Sequence, residues 1–238
     1  MFPDKFLYLF LMLACIAYPL AQSFERRITY WKKWKYVFPA ILITAGFFII
    51  WDEFFTRIGV WNFNKKYTLG IDIGSLPFEE WLFFFVVPYC SFFVYFVANY
   101  FIKKDPFKSF ARLLALIFVV LLLLLGLFNF DKWYTASSCI LTAVVLLYVT
   151  VIAKAEYLGR FFMAYFIGLI PLLIVNGILT STPVVEYNNT ENLSIRIYIP
   201  SIANIPIEDT IYFMLLLLMN VSLYETFSSR NKRDIPNR

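Results

Sequence analysis

Residues 76–102 read LPFEEWLFFFVVPYCSFFVYFVANYFI. Beyond Pro77 and the pair Glu79-Glu80, no charged side chain occurs before the run ends at Ile102. A helix that crosses a bilayer needs about 20 predominantly apolar residues, and this stretch meets that length. With 78–102 taken as a membrane span, six more runs of the same kind stand out, at 6–22, 36–55, 111–130, 134–153, 159–180 and 205–226. The expected fold is therefore an all-α membrane protein with seven transmembrane helices. The connecting segments are too short for a separate soluble domain. The run at 6–22 reads as a span rather than a cleaved leader. Asp4 stands beside Lys5 ahead of it, and Arg26, Arg27, Lys32, Lys33 and Lys35 follow it.

Composition agrees. Of the 238 residues 61% are hydrophobic, 21% are aromatic and only 16% are charged, with a mean hydropathy of +0.71. A soluble domain is about 45–50% apolar and about 25% charged. The chain has no histidine, which removes the commonest general base and the commonest metal ligand. Acid–base chemistry then falls to the 16 carboxylates, and no metal site is expected. Cys15, Cys90 and Cys139 lie in apolar runs without CxxC spacing and read as small buried hydrophobes.

The basic residues orient the spans. Fifteen of the 21 Lys and Arg fall in loops 1–2, 3–4 and 5–6 and at the C-terminus, and six on the other side. Positive charge marks the cytoplasmic face, so the N-terminus is expected outside and the C-terminus in the cytoplasm of a multi-pass plasma-membrane protein. The net charge of +5 is a topology signal beside anionic lipid and calls for no nucleic acid.

The two longest outside loops resemble one another. Gly59-Val60-Trp61-Asn62-Phe63-Asn64 matches the segment ending Tyr187-Asn188 at an offset of 124, and Pro77-Phe78-Glu79-Glu80 matches Pro206-Ile207-Glu208-Asp209 at an offset of 129. At the first offset Asp52 pairs with Asn176. One helix between two three-helix units leaves both in the same orientation, as parallel repeats require. The expected organisation is a first repeat at 1–105 (helices 1–3), a linker helix 4 at 106–131, a second repeat at 132–228 (helices 5–7) and a basic cytoplasmic tail at 229–238.

Proline at the first helical position and acids in the first turn make a good helix start without further purpose. Here the motif occurs twice, on one side of the membrane, with two acids each time, and acids at membrane depth are costly and default to function. An aromatic follows each acid one turn deeper: Glu79 with Phe83, Glu80 with Phe84, Glu208 with Tyr212 and Asp209 with Phe213. A carboxylic acid protonates an alkene, aromatic faces stabilise the carbocation at ~2 kcal/mol or more per desolvated contact, and a carboxylate removes a proton. Adjacent acids divide such roles when their environments differ.

Trp51-Asp52, the Gly59–Asn64 segment, Leu76-Pro77-Phe78-Glu79-Glu80-Trp81, Asn176-Gly177, Tyr187-Asn188 and Pro206-Ile207-Glu208-Asp209-Thr210-Ile211-Tyr212 resemble the integral-membrane lycopene cyclase family, which occurs as two small subunits in some bacteria and as fused repeats elsewhere. The resemblance covers most of the chain. It implies cyclisation of the ends of lycopene to β-rings, giving γ- or β-carotene without net redox change, in an enzyme of the intramolecular lyase or isomerase type. It implies catalytic roles for Glu79, Glu80, Glu208 and Asp209, with Asp52 as a further acid. Trp51, Trp61, Phe83, Phe84, Tyr212, Phe213 and Asn176 are expected to line the substrate or shield a cation. No cofactor is expected, and no GxGxxG indicates a Rossmann-type flavin site. The expected partners are lycopene or a related acyclic carotenoid, membrane lipid and other carotenoid enzymes.

Other seven-helix functions fit less well. A retinal Schiff base needs a lysine in the last span, and 205–226 has none. A transporter would carry polar or broken helices at midplane, where this chain has Leu, Val and Phe with Asn176 and Pro171 as the main exceptions. Diphosphate chemistry wants Asp-rich magnesium sites. A seven-helix transporter or another membrane isoprenoid-binding protein is the alternative reading.

Overall fold

The computed structural model describes residues 4–199 and 203–233. Among them seven helices are long and apolar enough to cross a membrane: α1 (Leu7–Gln22), α2 (Trp34–Arg57), α3 (Phe78–Phe101), α4 (Ala111–Phe128), α5 (Trp133–Leu147, continued by a π turn at Tyr148–Ile152), α6 (Leu158–Ser181) and α7 (Glu208–Arg233). The protein is an all-α, seven-helix membrane protein. The expected tail at 229–238 begins as the last turns of α7; residues 234–238 lie outside the described ones.

Within each half the first helix packs on the third, α1 on α3 and α5 on α7; between halves, α2 packs on α7 and α3 on α6. Helix α4 stands apart from this exchange. It lays Ala111, Ala115, Val119, Leu122 and Gly126 against its neighbours, chiefly α5, and leaves Leu113, Ile117, Val120, Leu124 and Phe128 exposed. A Cβ on Gly126 would sit 3.1 Å from the Cys139 Cβ and 2.9 Å from the Ile140 Cγ1. Small residues at such a seam let backbones approach, which is how helices associate in lipid, where apolar burial gives no drive.

The loops at one end form a cap of three short antiparallel strand pairs. Strand β1 (Trp61–Phe63) pairs with β4 (Val185–Tyr187), β2 (Asp72–Ile73) with β3 (Leu76–Pro77), and β5 (Arg196–Ile199) with β6 (Ala203–Pro206). The β1–β4 register sets Asn62 opposite Glu186, Trp61 opposite Tyr187 and Phe63 opposite Val185. Asn62 and Glu186 are themselves separated by 124, so the pairing is symmetric about that offset. Neighbouring backbone bonds repeat it. Asn64 N donates to Val184 O at 2.9 Å and Asn188 N to Val60 O at 2.8 Å; Tyr8 N donates to Tyr67 O at 3.2 Å and Tyr134 N to Glu191 O at 3.0 Å.

The change of offset to 129 is also located. Phe78 N donates to Ile71 O, and Ile207 N to Ile195 O, so the five extra residues belong to the longer β5–β6 hairpin. The short β2–β3 hairpin turns through Gly74 at φ 70°, where a Cβ would lie 2.8 Å from the Glu53 carboxylate oxygens.

Helix α3 begins at Phe78 as expected, but the role of two prolines and the start of α7 differ from expectation. Pro77 and Pro206 are the last residues of β3 and β6 rather than first helical residues, and α7 begins at Glu208 instead of 205. Pro77 has φ −66° and ψ 151°. A ring-fixed φ suits extended backbone as well as helix, and the hairpin pairing decides between them.

Candidate active site

The paired acids stand in the first turns of α3 and α7, and their chain position sends the two members of each pair in different directions. Residues one apart on a helix do not share a face. Glu79 Oε1 accepts the Leu69 N–H at 2.7 Å, and Glu208 Oε1 accepts the Leu193 N–H at 2.7 Å. Leu69 and Leu193 are again 124 apart. Glu208 Oε1 also accepts the Thr135 hydroxyl at 2.7 Å. These two carboxylates are fully buried and pin the cap loops to the helices. They do not line the cavity described next, so the four acids given catalytic roles from the sequence do not all meet in it.

Glu80 and Asp209 do line one cavity, of about 60 Å³, together with Asp52. Tyr8, at the start of α1, donates to Glu80 Oε2 at 2.5 Å. Its counterpart Tyr134, at the start of α5, donates to Asp209 Oδ1 at 2.6 Å. Beyond that the halves diverge. Asp209 Oδ2 receives the Tyr187 hydroxyl at 3.0 Å and the Asn176 amide at 3.1 Å. At offset 124 the first half has Phe63 and Asp52 in those places. Asp52 Oδ2 and the Trp61 indole Nε1 are both buried on this cavity. Among the described residues no Lys or Arg forms an ion pair with Glu80, Asp209 or Asp52. The cavity thus holds three carboxyls and no counter-cation.

Aromatic rings form much of the rest of the wall. Trp61, Phe63, Phe83, Tyr212 and Phe213 line it with Tyr8, Tyr134 and Tyr187. Trp61 meets Tyr134 edge-on at 5.1 Å, and Tyr134 stacks on Tyr187 at 5.9 Å. Burial, and then the neighbouring Asp209 carboxylate, push the Tyr187 phenol well above its ordinary pKa of 10, so it stays a donor across the physiological range. Trp51 stands behind Tyr212, with ring centroids at 5.1 Å, and Phe84 is buried behind Phe48 and Phe83. Neither lines the acid cavity, unlike Trp61, Phe83, Tyr212, Phe213 and Asn176.

Sequence reasoning missed Tyr8, Tyr134 and Tyr187. The first two carried a signal: Asp4-Lys5-Phe6-Leu7-Tyr8 and Asp131-Lys132-Trp133-Tyr134 are versions of one helix start with one residue of slack. Extending the repeat match from the loops to helices 1 and 5 finds both.

The fold and site define an integral-membrane protein with a buried, aromatic-lined cavity of carboxyls beneath a cap shared by two halves. The sequence model of the lycopene cyclase family matches residues 5–98 and 131–227. The chain belongs to that family, and with it to the carotenoid cyclases, enzymes that act on a carotenoid substrate. The matched regions contain α1–α3 and α5–α7 and leave out α4. No curated protein and no solved structure matches the chain.

Proposed function

We propose that this cyclase closes β-rings on the ends of lycopene, with Glu80 as proton donor and Asp209 as proton acceptor. Glu80 gives a proton to the terminal double bond of an acyclic end. The inner double bond attacks the resulting cation and forms the ring bond. Asp209 then takes a proton from the ring carbon next to the new cation and leaves the ring double bond. One proton is gained and one lost, so product and substrate are isomers and the step balances without an electron carrier. Before the next turnover a proton returns from Asp209 to Glu80, both of which face the one cavity.

The observation that carries this reading is the unequal set of partners on the two acids. Asp209 accepts three donors, from Tyr134, Tyr187 and Asn176, an arrangement suited to a carboxylate. Glu80 accepts one, from Tyr8, and shares its cavity with Asp52. The rings of Trp61, Tyr134, Tyr187 and Tyr212 lie between and around the acids, where cation–π contacts stabilise positive charge.

Gene duplication of a three-helix unit, with α4 as linker, accounts for the shared hydrogen bonds. We further propose a plasma-membrane location with the N-terminus outside and the C-terminus in the cytoplasm, supported by the Lys and Arg distribution; a fluorescent protein fused to the C-terminus should then fold and fluoresce. The reaction itself is tested by expression in lycopene-accumulating cells. Conversion to γ- or β-carotene is expected. Unchanged lycopene with the protein present in the membrane would refute the reading.

A further inference from the structure

A second cavity, a groove of about 340 Å³, meets the acid cavity at Phe83, Leu172, Asn176 and Phe213, which line both. It runs between α1 and α6 over the face of α3, past Val87 and Cys90, to Tyr18 and Pro171. Those last two are exposed on spans α1 and α6, so the groove opens at membrane depth. Its walls are almost wholly apolar. The Ser91 hydroxyl is spent on Val87 O at 2.8 Å and the Cys90 thiol on Cys15 O at 3.4 Å, which leaves a surface suited to hydrocarbon.

Among the described residues the symmetric seam, where α2 and α5 flank α7, is closed at the matching place. In place of Leu172 and Val175 it carries Phe48 and Trp51, and in place of Phe83 it carries Tyr212. Their rings close on each other: Phe48 and Tyr212 at 4.8 Å, Trp51 and Tyr212 at 5.1 Å, Phe47 and Trp51 at 5.9 Å. What remains is a surface depression lined by Phe47, Ile50, Trp51, Phe54 and Leu141, and none of these touches the acid cavity.

We propose that the long hydrocarbon chain of the carotenoid lies in the groove between α1 and α6, and that its reacting end enters the acid cavity from that side alone. This rests on the cyclase reading above and adds a direction to it. Two acids related by the repeat then serve one chain end, and the second end of the same molecule reacts only after release and return the other way round. The Phe48–Trp51–Tyr212 cluster is the plug that makes a symmetric fold one-sided.

The test transfers the plug. Leu172→Phe with Val175→Trp gives the open seam the residues of the closed one and should lower cyclisation at least tenfold, while Leu141→Phe, on the closed seam, should leave it unchanged. A second measurement needs no variant. Cys15 and Cys90 line the groove, so lycopene in the membrane should slow their alkylation by N-ethylmaleimide, and a saturated lipid chain should not. Wild-type rates in the plugged double variant, or alkylation that lycopene leaves unchanged or that lipid slows equally, overturn the proposal. Wild-type protein that forms no ring at all overturns the cyclase reading instead, and the alkylation result then still reports what occupies the groove.

Discussion

The half around Glu80 and the half around Asp209 repeat one set of hydrogen bonds and differ in the side chains around the two acids. The shared part is structural. Glu79 holds Leu69 N as Glu208 holds Leu193 N, and Tyr8 reaches Glu80 as Tyr134 reaches Asp209. The differing part is chemical. Where the second half has Asn176 and Tyr187, both donors to Asp209, the first has Asp52 and Phe63. The repeat therefore supplies two equivalent frames, and two substitutions turn equivalent acids into unequal ones. A proton donor and a proton acceptor are what cyclisation by protonation and deprotonation needs.

Removing either cavity acid breaks the comparison outright. Glu80→Gln and Asp209→Asn should each lower ring formation by about 10²–10⁴-fold, the usual worth of a general acid or base, with the protein still in the membrane. Pigment extracted from lycopene-accumulating cells measures both. If only one of the two is inactive, the division of labour between the halves is wrong.

Making the halves alike is the next largest change. Asn176→Asp puts a carboxyl where an amide now donates to Asp209 at 3.1 Å. A donated hydrogen bond is replaced by like-charge repulsion, and a loss of roughly a hundredfold is expected from a charged hydrogen bond worth ~1.5–3 kcal/mol. The mirror change, Asp52→Asn, gives the first half the amide of the second and removes one carboxyl from the cavity that Glu80 lines. A loss of cyclisation smaller than that of Glu80→Gln is expected, measured as pigment formed per protein in the membrane. A loss as large as that of Glu80→Gln would place Asp52 among the groups that transfer the proton.

Tyr187→Phe copies the first half's Phe63 into the second. It removes one of three donors to Asp209 and keeps the ring stacked on Tyr134. With Tyr134 and Asn176 left in place, about a tenfold decrease is expected, the lower end for a hydrogen bond to a charged group.

Much of this was legible before any coordinates. Seven spans follow from run length, because the bilayer imposes one thickness on every crossing. The two offsets, 124 and 129, were visible in the loops, and the structure assigns the difference to the β5–β6 hairpin. The cavity was less legible. That Glu80 and Asp209 face inward while Glu79 and Glu208 face the loops depends on how each helix start meets the cap, where Pro77 and Pro206 end strands instead of opening helices. The plug at Phe48 and Trp51 was hidden for another reason. Aromatics occur at almost every turn of these helices, so no local pattern distinguishes a ring that shields a cation from one that closes a seam.

The smallest effect on rate should come from the acids that resemble the catalytic pair most closely. Glu79→Gln keeps an oxygen to accept the Leu69 N–H, and Glu79 Oε2 is buried without a partner, so the amide nitrogen of the variant breaks no bond the parent had. It does bury an unpaired donor, at a cost of ~1–3 kcal/mol. Glu79→Gln should thus cyclise lycopene at close to the parent rate and unfold in detergent a few degrees lower. Glu208→Gln should be hit harder in stability, since its Oε1 serves both Leu193 and Thr135, and equally little in rate per folded molecule. A normal melting temperature with lost turnover in either variant would put these carboxyls back among the reacting groups, and the difference between inward and outward members of each pair would then have to be abandoned.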